Sequence, residues 1–266
     1  MGCLVKRLLH LPLLSILMFT TTSYGQDNTE LAKAAQNPLA SMISLPFQNN
    51  TNFGYGPDDD VQNTLDIQPV LPFALNDQLN LVTRTILPVE TMPSVVPGDD
   101  STTTGLGDTT VTGWFSPSAV SKWTWGVGPV LVVPTSSDEE LGAGEWGAGA
   151  SAVVLTMPGN WVVGSLLSNV WNIEGDDDFS LLTFQPIINY NLHDGWYIAS
   201  VPIITANWEA DNDDRWTVPI GAGVGKIFRI GKQPINMSTH AYYNVEKPDY
   251  VGDWTLRIQF QFMFPR

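Results

Sequence analysis

Hydrophobic and polar positions alternate most cleanly near the end of the chain. Between Trp254 and Phe264, the residues Trp254, Leu256, Ile258, Phe260, Phe262 and Phe264 share one parity. Thr255, Arg257, Gln259, Gln261 and Met263 share the other. Side chains alternate across a strand, so this stretch predicts one strand with an apolar face and a polar face. A soluble sandwich would turn the apolar face onto a second sheet. An outer-membrane barrel would turn it toward lipid and the polar face toward a lumen.

The same reading applied from Ser41 onward predicts strands near 41–49, 63–73, 79–88, 108–116, 123–133, 146–157, 161–173, 181–191, 196–208, 215–227, 234–244 and 253–264. The connectors between them alternate in kind. Asn76-Asp77, Ser116 to Lys122, Pro158-Gly159-Asn160, His193-Asp194-Gly195 and Arg229 to Gln233 are short and turn-like. Pro57 to Asp60, Asp99-Asp100, Asp138 to Glu140, Glu174 to Asp178, Glu209 to Asp214 and Glu246 to Asp253 read as longer, acidic loops. Short turns at one end and long loops at the other are the two rims of an outer-membrane barrel. The pairs Trp161/Trp171, Trp196/Trp208 and Trp254/Phe264 bracket single strands. Ten residues at ~3.3 Å each, tilted by ~40°, span about 25 Å, the height of a barrel's apolar band. The fold expected is a closed antiparallel transmembrane β-barrel of about twelve strands. Proline within the strands (Pro46, Pro69, Pro129, Pro186, Pro202 and Pro219) argues against full pairing, because each removes a ladder donor.

Ahead of the barrel, residues 1–25 read as a cleaved secretory signal. Lys6 and Arg7 precede an apolar run from Leu8 to Phe19, and small residues surround Ser23-Tyr24-Gly25. The run is too short for a membrane-spanning helix. Residues 26–40 hold the one helical candidate, with Asn28 or Thr29 as its cap and Pro38 beyond its end. Too short to be stable alone, it reads as a frayed leader or as a plug at a barrel mouth. The only cysteine, Cys3, lies in the leader, so no disulfide or thiolate metal site is expected.

Charge narrows the partners. Twelve Lys and Arg face 27 Asp and Glu, a formal net charge of −15, and loss of the leader makes this more negative. So acidic a chain is a poor ligand for nucleic acid. The acidic loops read first as solvated surface; holding divalent cations against lipopolysaccharide is the sharper alternative, although no loop has the order of an EF-hand. Gly221, Gly223 and Gly225 precede Lys226 but lack the spacing and hydroxyl of a phosphate loop, so no nucleotide or other cofactor is expected. The parity opposite the apolar face collects Asp66, Gln68, Arg84, Gln185, Asn189, Asn207, Arg215, His240, Arg257, Gln259 and Gln261. These are the candidate lumen-lining residues. No catalytic residue is expected: His193 lies in a turn, and the parity of His240 directs it to the lumen, where a lipid hydrolase would need it toward the bilayer.

Several blocks resemble a bacterial family. They are Ala34 to Ser41 through Pro57 to Asp60, Trp125 to Pro129, Gly144 to Gly149, Thr205 to Ala210 and Trp216 to Gly221. The family is grouped under the label "MetA-pathway of phenol degradation", and its members often carry the borrowed name neuromedin U. The resemblance covers nearly all of the chain after the leader. It implies an outer-membrane barrel with a transport-like role and supplies no catalytic residues. The expected function is passive passage of small solutes. A non-conducting surface barrel and an outer-membrane lipid hydrolase are the alternatives.

Overall fold

A computed structural model describes residues 24–119, 121–174 and 179–265. The expected signal segment lies outside them except for Tyr24 and Gly25, as do residues 175–178 of one acidic loop. A single antiparallel sheet contains β1 (Ile43–Tyr55), β2 (Asp60–Ile67), β3 (Val70–Ala74), β4 (Leu79–Pro93), β5 (Thr102–Leu106), β6 (Thr109–Pro117), β7 (Trp123–Val133) and β8 (Gly147–Thr156). It continues through β9 (Trp161–Asn172), β10 (Ser180–Asn191), β11 (Trp196–Ser200), β12 (Ile204–Asn207), β13 (Trp216–Ile230), β14 (Gln233–Glu246) and β15 (Trp254–Phe264). β2 with β3, β5 with β6, and β11 with β12 each share one position around the barrel, giving 12 staves. The sheet closes where β1 pairs with β15, from Ile43 opposite Phe264 to Phe53 opposite Trp254. Closure satisfies every edge, which a sheet in lipid requires.

The two parities of β15 separate as the alternation predicts: Arg257, Gln261 and Met263 are buried, while Trp254, Ile258 and Phe264 stand on the outer surface. Around the barrel the outer surface carries Leu131, Val154, Leu167, Ile198 and Val224, all exposed. Lipid is the solvent that makes such a belt stable. Trp123, Trp161 and Trp196 begin strands that leave the short turns, and form one girdle. Trp171, Trp208 and Trp254 lie at the loop ends and form the other. Trp161 meets Tyr190 edge-on at 4.7 Å and Trp208 meets Trp216 at 5.6 Å, so the rings anchor in pairs.

The prolines are accommodated at interruptions of the ladder. Pro69 and Pro202 sit in the breaks between β2 and β3 and between β11 and β12. Pro46 lies on β1 opposite the first break, and its carbonyl accepts the Gln68 N–H at 2.9 Å. Pro186 lies on β10 opposite the second, between the segments paired with β12 and β11. Pro129 falls where the β6–β7 pairing lapses, and Pro219 at a register shift of β13 against β14. A proline costs nothing where its missing N–H has no partner to lose.

Three expectations are corrected. β1 runs on to Tyr55, so Pro57 to Asp60 is no long loop: Tyr55 already pairs with Asp60 across a tight turn. The first helix, α1 (Tyr24–Ala35), starts ahead of Asn28 and Thr29, which therefore do not cap it. The interior, expected to be polar, is apolar on one side. Val82, Trp114, Val153, Leu155, Val162, Leu166 and Ile187 form a cluster inside the barrel. On β9 both parities are apolar because one faces lipid and the other this cluster. Polar alternation alone could not separate them.

α1 lies at the short-turn end, against β13 and the His193–Gly195 turn. Its Ala32 is fully buried with Met42, Ile227 and Met263. Met263 is the one apolar residue on the polar parity of β15, and it meets the helix. Beyond α1 the chain turns into the barrel, where Leu39 joins the interior apolar cluster.

Candidate functional site

The lumen holds two cavities in series. The inner one, of about 160 Å³, lies above α1 and the segment that follows it. Gln68, Arg84, Gln185, Asn189, His240, Arg257, Gln259 and Gln261, eight of the sequence candidates, line it together. Asp66 stands beside it, accepting from Gln48 Nε2 at 3.4 Å and from Asn50 Nδ2 at 3.3 Å. Asn207 and Arg215 do not join them. They face each other near the loop rim, where the Asn207 N–H donates to the Arg215 carbonyl at 2.9 Å. The Arg215 guanidinium donates to the Ala210 carbonyl at 3.3 Å and lies over the Trp208 ring.

The outer cavity, of about 380 Å³, opens toward the loops and is lined by amides and hydroxyls. Among them Asn52 donates to Gln62, Thr255 Oγ1 donates to Asn52 Oδ1 at 2.5 Å, and Gln62 Nε2 donates to Thr64 Oγ1 at 2.8 Å. Arg257 lines both cavities and so marks the neck between them, with Tyr242 on its outer side. There Arg257 Nε donates to Asn50 Oδ1 at 2.8 Å, one guanidinium Nη donates to the Val201 carbonyl at 3.1 Å, and the Tyr242 ring lies 5.1 Å beneath. The His240 ring stacks on Tyr242 at 5.9 Å.

The glycines of β13 explain how these rings fit. A Cβ on Gly223 would lie 2.2 Å from His240 Cδ2, and one on Gly225 would lie 2.2 Å from Tyr197 Cζ. Two aromatic side chains therefore lie flat on the inner wall where glycine leaves the space. Tyr197 donates from there to Asn236 Oδ1 at 2.7 Å, and Asn236 Nδ2 donates to Gln261 Oε1 at 3.0 Å.

Sequence reasoning missed two participants. Trp114, fully buried, packs under Arg84 at 5.1 Å and donates through Nε1 to Ser151 Oγ at 3.0 Å. The girdle pattern of the other tryptophans hid its inward direction. The Val201 carbonyl has no side-chain signal, though Pro202 marks the break that frees it. Among the described residues no three His, Cys, Asp or Glu side chains converge as a metal site. Asp108 instead caps backbone, accepting from the N–H groups of Thr135, Ser136 and Gly144 at 3.0–3.1 Å.

A closed antiparallel barrel with a lipid-facing belt between two aromatic girdles is an outer-membrane β-barrel. The chain is similar in fold to an outer membrane channel from Pseudomonas putida F1, with a TM-score of 0.66 at 18% identity, over 92% of this chain and 100% of that one. A Pseudomonas aeruginosa FadL homologue overlaps less well, with a TM-score of 0.47 at 8% identity over 87% and 93% of the two chains. The CymD monoaromatic hydrocarbon channel gives 0.48 at 8% identity over 91% and 93%. No family model and no curated protein matches the sequence.

Proposed function

We propose that the barrel is a passive channel for small solutes across the outer membrane. The carrying observation is the pair of cavities in series, meeting at the neck marked by Arg257. A solute would enter from the loop side through the amide-lined vestibule and pass the neck into the inner cavity. It would leave on the periplasmic side past α1. Selectivity in such a pore comes from lumen width and from the polar groups that line it. A solved barrel of similar fold is described as an outer membrane channel, in agreement with this reading. Lipid and lipopolysaccharide would surround the belt and the loop rim.

One observation favours a non-conducting barrel. α1 and the chain after it occupy the periplasmic mouth, and an apolar cluster fills one side of the interior. Planar-bilayer recording separates the two readings. The purified barrel and a variant lacking residues 26–40 should both give single-channel steps, with larger ones from the variant. Silence from both would remove the channel.

A further inference from the structure

The lining of the inner cavity is unlike the rest of the chain in charge. The protein carries 27 acids against 12 Lys and Arg, yet the cavity is lined by Arg84, Arg257, His240 and no carboxylate. Asp66 stands outside this lining, held by the Gln48 and Asn50 amides, and acts on Arg84 through its charge without an ion-pair contact. Arg257 is engaged at the neck. Arg84 lies over the Trp114 ring, but its Nε is buried without a hydrogen-bond partner, and among the described residues it makes no ion pair. His240, 4% exposed, has no partner at either ring nitrogen. Leaving a buried guanidinium unpaired is costly, and an arriving anion that accepts from it recovers that cost.

The neighbouring wall is apolar. Val70 is the cross-strand partner of Arg84 and packs against the interior cluster, and Ile187 lines the same cavity. A group bonded to Arg84 therefore has hydrocarbon beside it within one cross-strand spacing, ~5 Å. The volume sets the size. A dry cavity of roughly 150 Å³ accepts benzene, and this one is about 160 Å³.

Resting on the channel reading above, we infer that the inner cavity is a binding site for a monoanionic acid built on a single carbon ring. Its carboxylate accepts from Arg84 and from His240, and its ring lies against Val70 and Ile187. The acidic loops do not set the selectivity of the pore; the arginine inside does. Neutral rings meet the same wall without repairing the unpaired guanidinium, and small carboxylates such as acetate repair it without filling the wall.

The test is calorimetric titration of the full barrel in detergent with benzoate, benzyl alcohol and acetate. Benzoate should bind at least about tenfold more tightly than either comparator, the step expected for one charge-assisted hydrogen bond. Arg84→Gln should weaken benzoate by about tenfold and leave benzyl alcohol unchanged, and Arg84→Lys should restore part of the loss. Heat-modifiable electrophoretic mobility verifies that each variant is folded. If Arg84→Gln does not fold, the three-ligand comparison on the unaltered protein decides alone. Benzoate no tighter than benzyl alcohol, or indifferent to Arg84→Gln, overturns the site. Bilayer recording on the same preparation keeps the two readings apart. Steps without benzoate binding sink the site and leave the channel. Binding without steps sinks the channel and leaves the site.

Discussion

Arg257 reaches from β15 to the main-chain carbonyl of Val201, 3.1 Å from its guanidinium, spanning the two staves that lie between them. The carbonyl is available because β11 and β12 are interrupted at Val201 to Ile203 and so leave it outside the ladder. Gln185 Nε2 points to the same oxygen at 3.5 Å. A broken strand thus supplies the acceptor that holds a charged side chain across the lumen.

Arg257→Gln should widen the neck. The shorter amide cannot keep both Asn50 and Val201, so single-channel conductance should rise, roughly twofold on the view that lumen width governs passage. Stability should fall by about 1.5–3 kcal/mol for lost charge-assisted bonds, offset in part because the buried charge goes with them. Bilayer recording and urea titration read the two effects separately. Unchanged conductance in a folded variant would move the neck elsewhere.

Neighbouring residues on β15 should respond oppositely to the same charge. Ile258 faces lipid and Gln259 the inner cavity. Ile258→Arg should cost about 2–4 kcal/mol at mid-depth, whereas Gln259→Arg should cost far less because its side chain enters a polar lumen. Urea unfolding in lipid vesicles gives both numbers. Equal costs would mean that the apolar parity does not face a membrane.

The barrel was legible because its signals repeat: parity, turn length and tryptophan spacing each recur around the sheet, and errors in single strands cancel. The prolines read as an objection and proved to be punctuation. Pro46 with Pro69, and Pro186 with Pro202, lie on neighbouring staves at the same interruption, a coincidence visible only once register is known. The site was legible by parity alone, which brought Arg84, His240 and Arg257 to one cavity but carried Asn207 and Arg215 to the rim. Height along the barrel has no signature in alternation. Nor does the apolar inner wall, since Val162 and Leu166 read like any lipid-facing residue until the facing cluster is known.

Gly225 and Tyr197 should be coupled. A methyl at Gly225 would meet the Tyr197 ring at 2.2 Å, and the nearest atoms it meets all belong to that side chain. Gly225→Ala should therefore destabilise by about 1–3 kcal/mol through overpacking. In the background of Tyr197→Ala the same change should cost much less, a positive coupling in the double-mutant cycle. Additive costs would mean that the glycine serves the backbone and not the ring.

Ala32 tests how α1 is held. It is fully buried against Met42, Ile227 and Met263, with Gln36 and Asn191 exchanging side-chain hydrogen bonds of 3.0 Å and 3.3 Å at the end of the helix. Ala32→Glu puts a carboxylate into that contact, where none of these apolar neighbours can pair it. The helix itself is too short to persist undocked. The variant should expose the Tyr24–Ala35 segment to protease while the sheet, closed independently through β1 and β15, keeps its urea midpoint. Protection equal to that of the unaltered protein would show that the polar contacts alone retain the helix. A fall in the midpoint of the whole barrel would show that the segment is part of the closed sheet's stability and not a separable stopper.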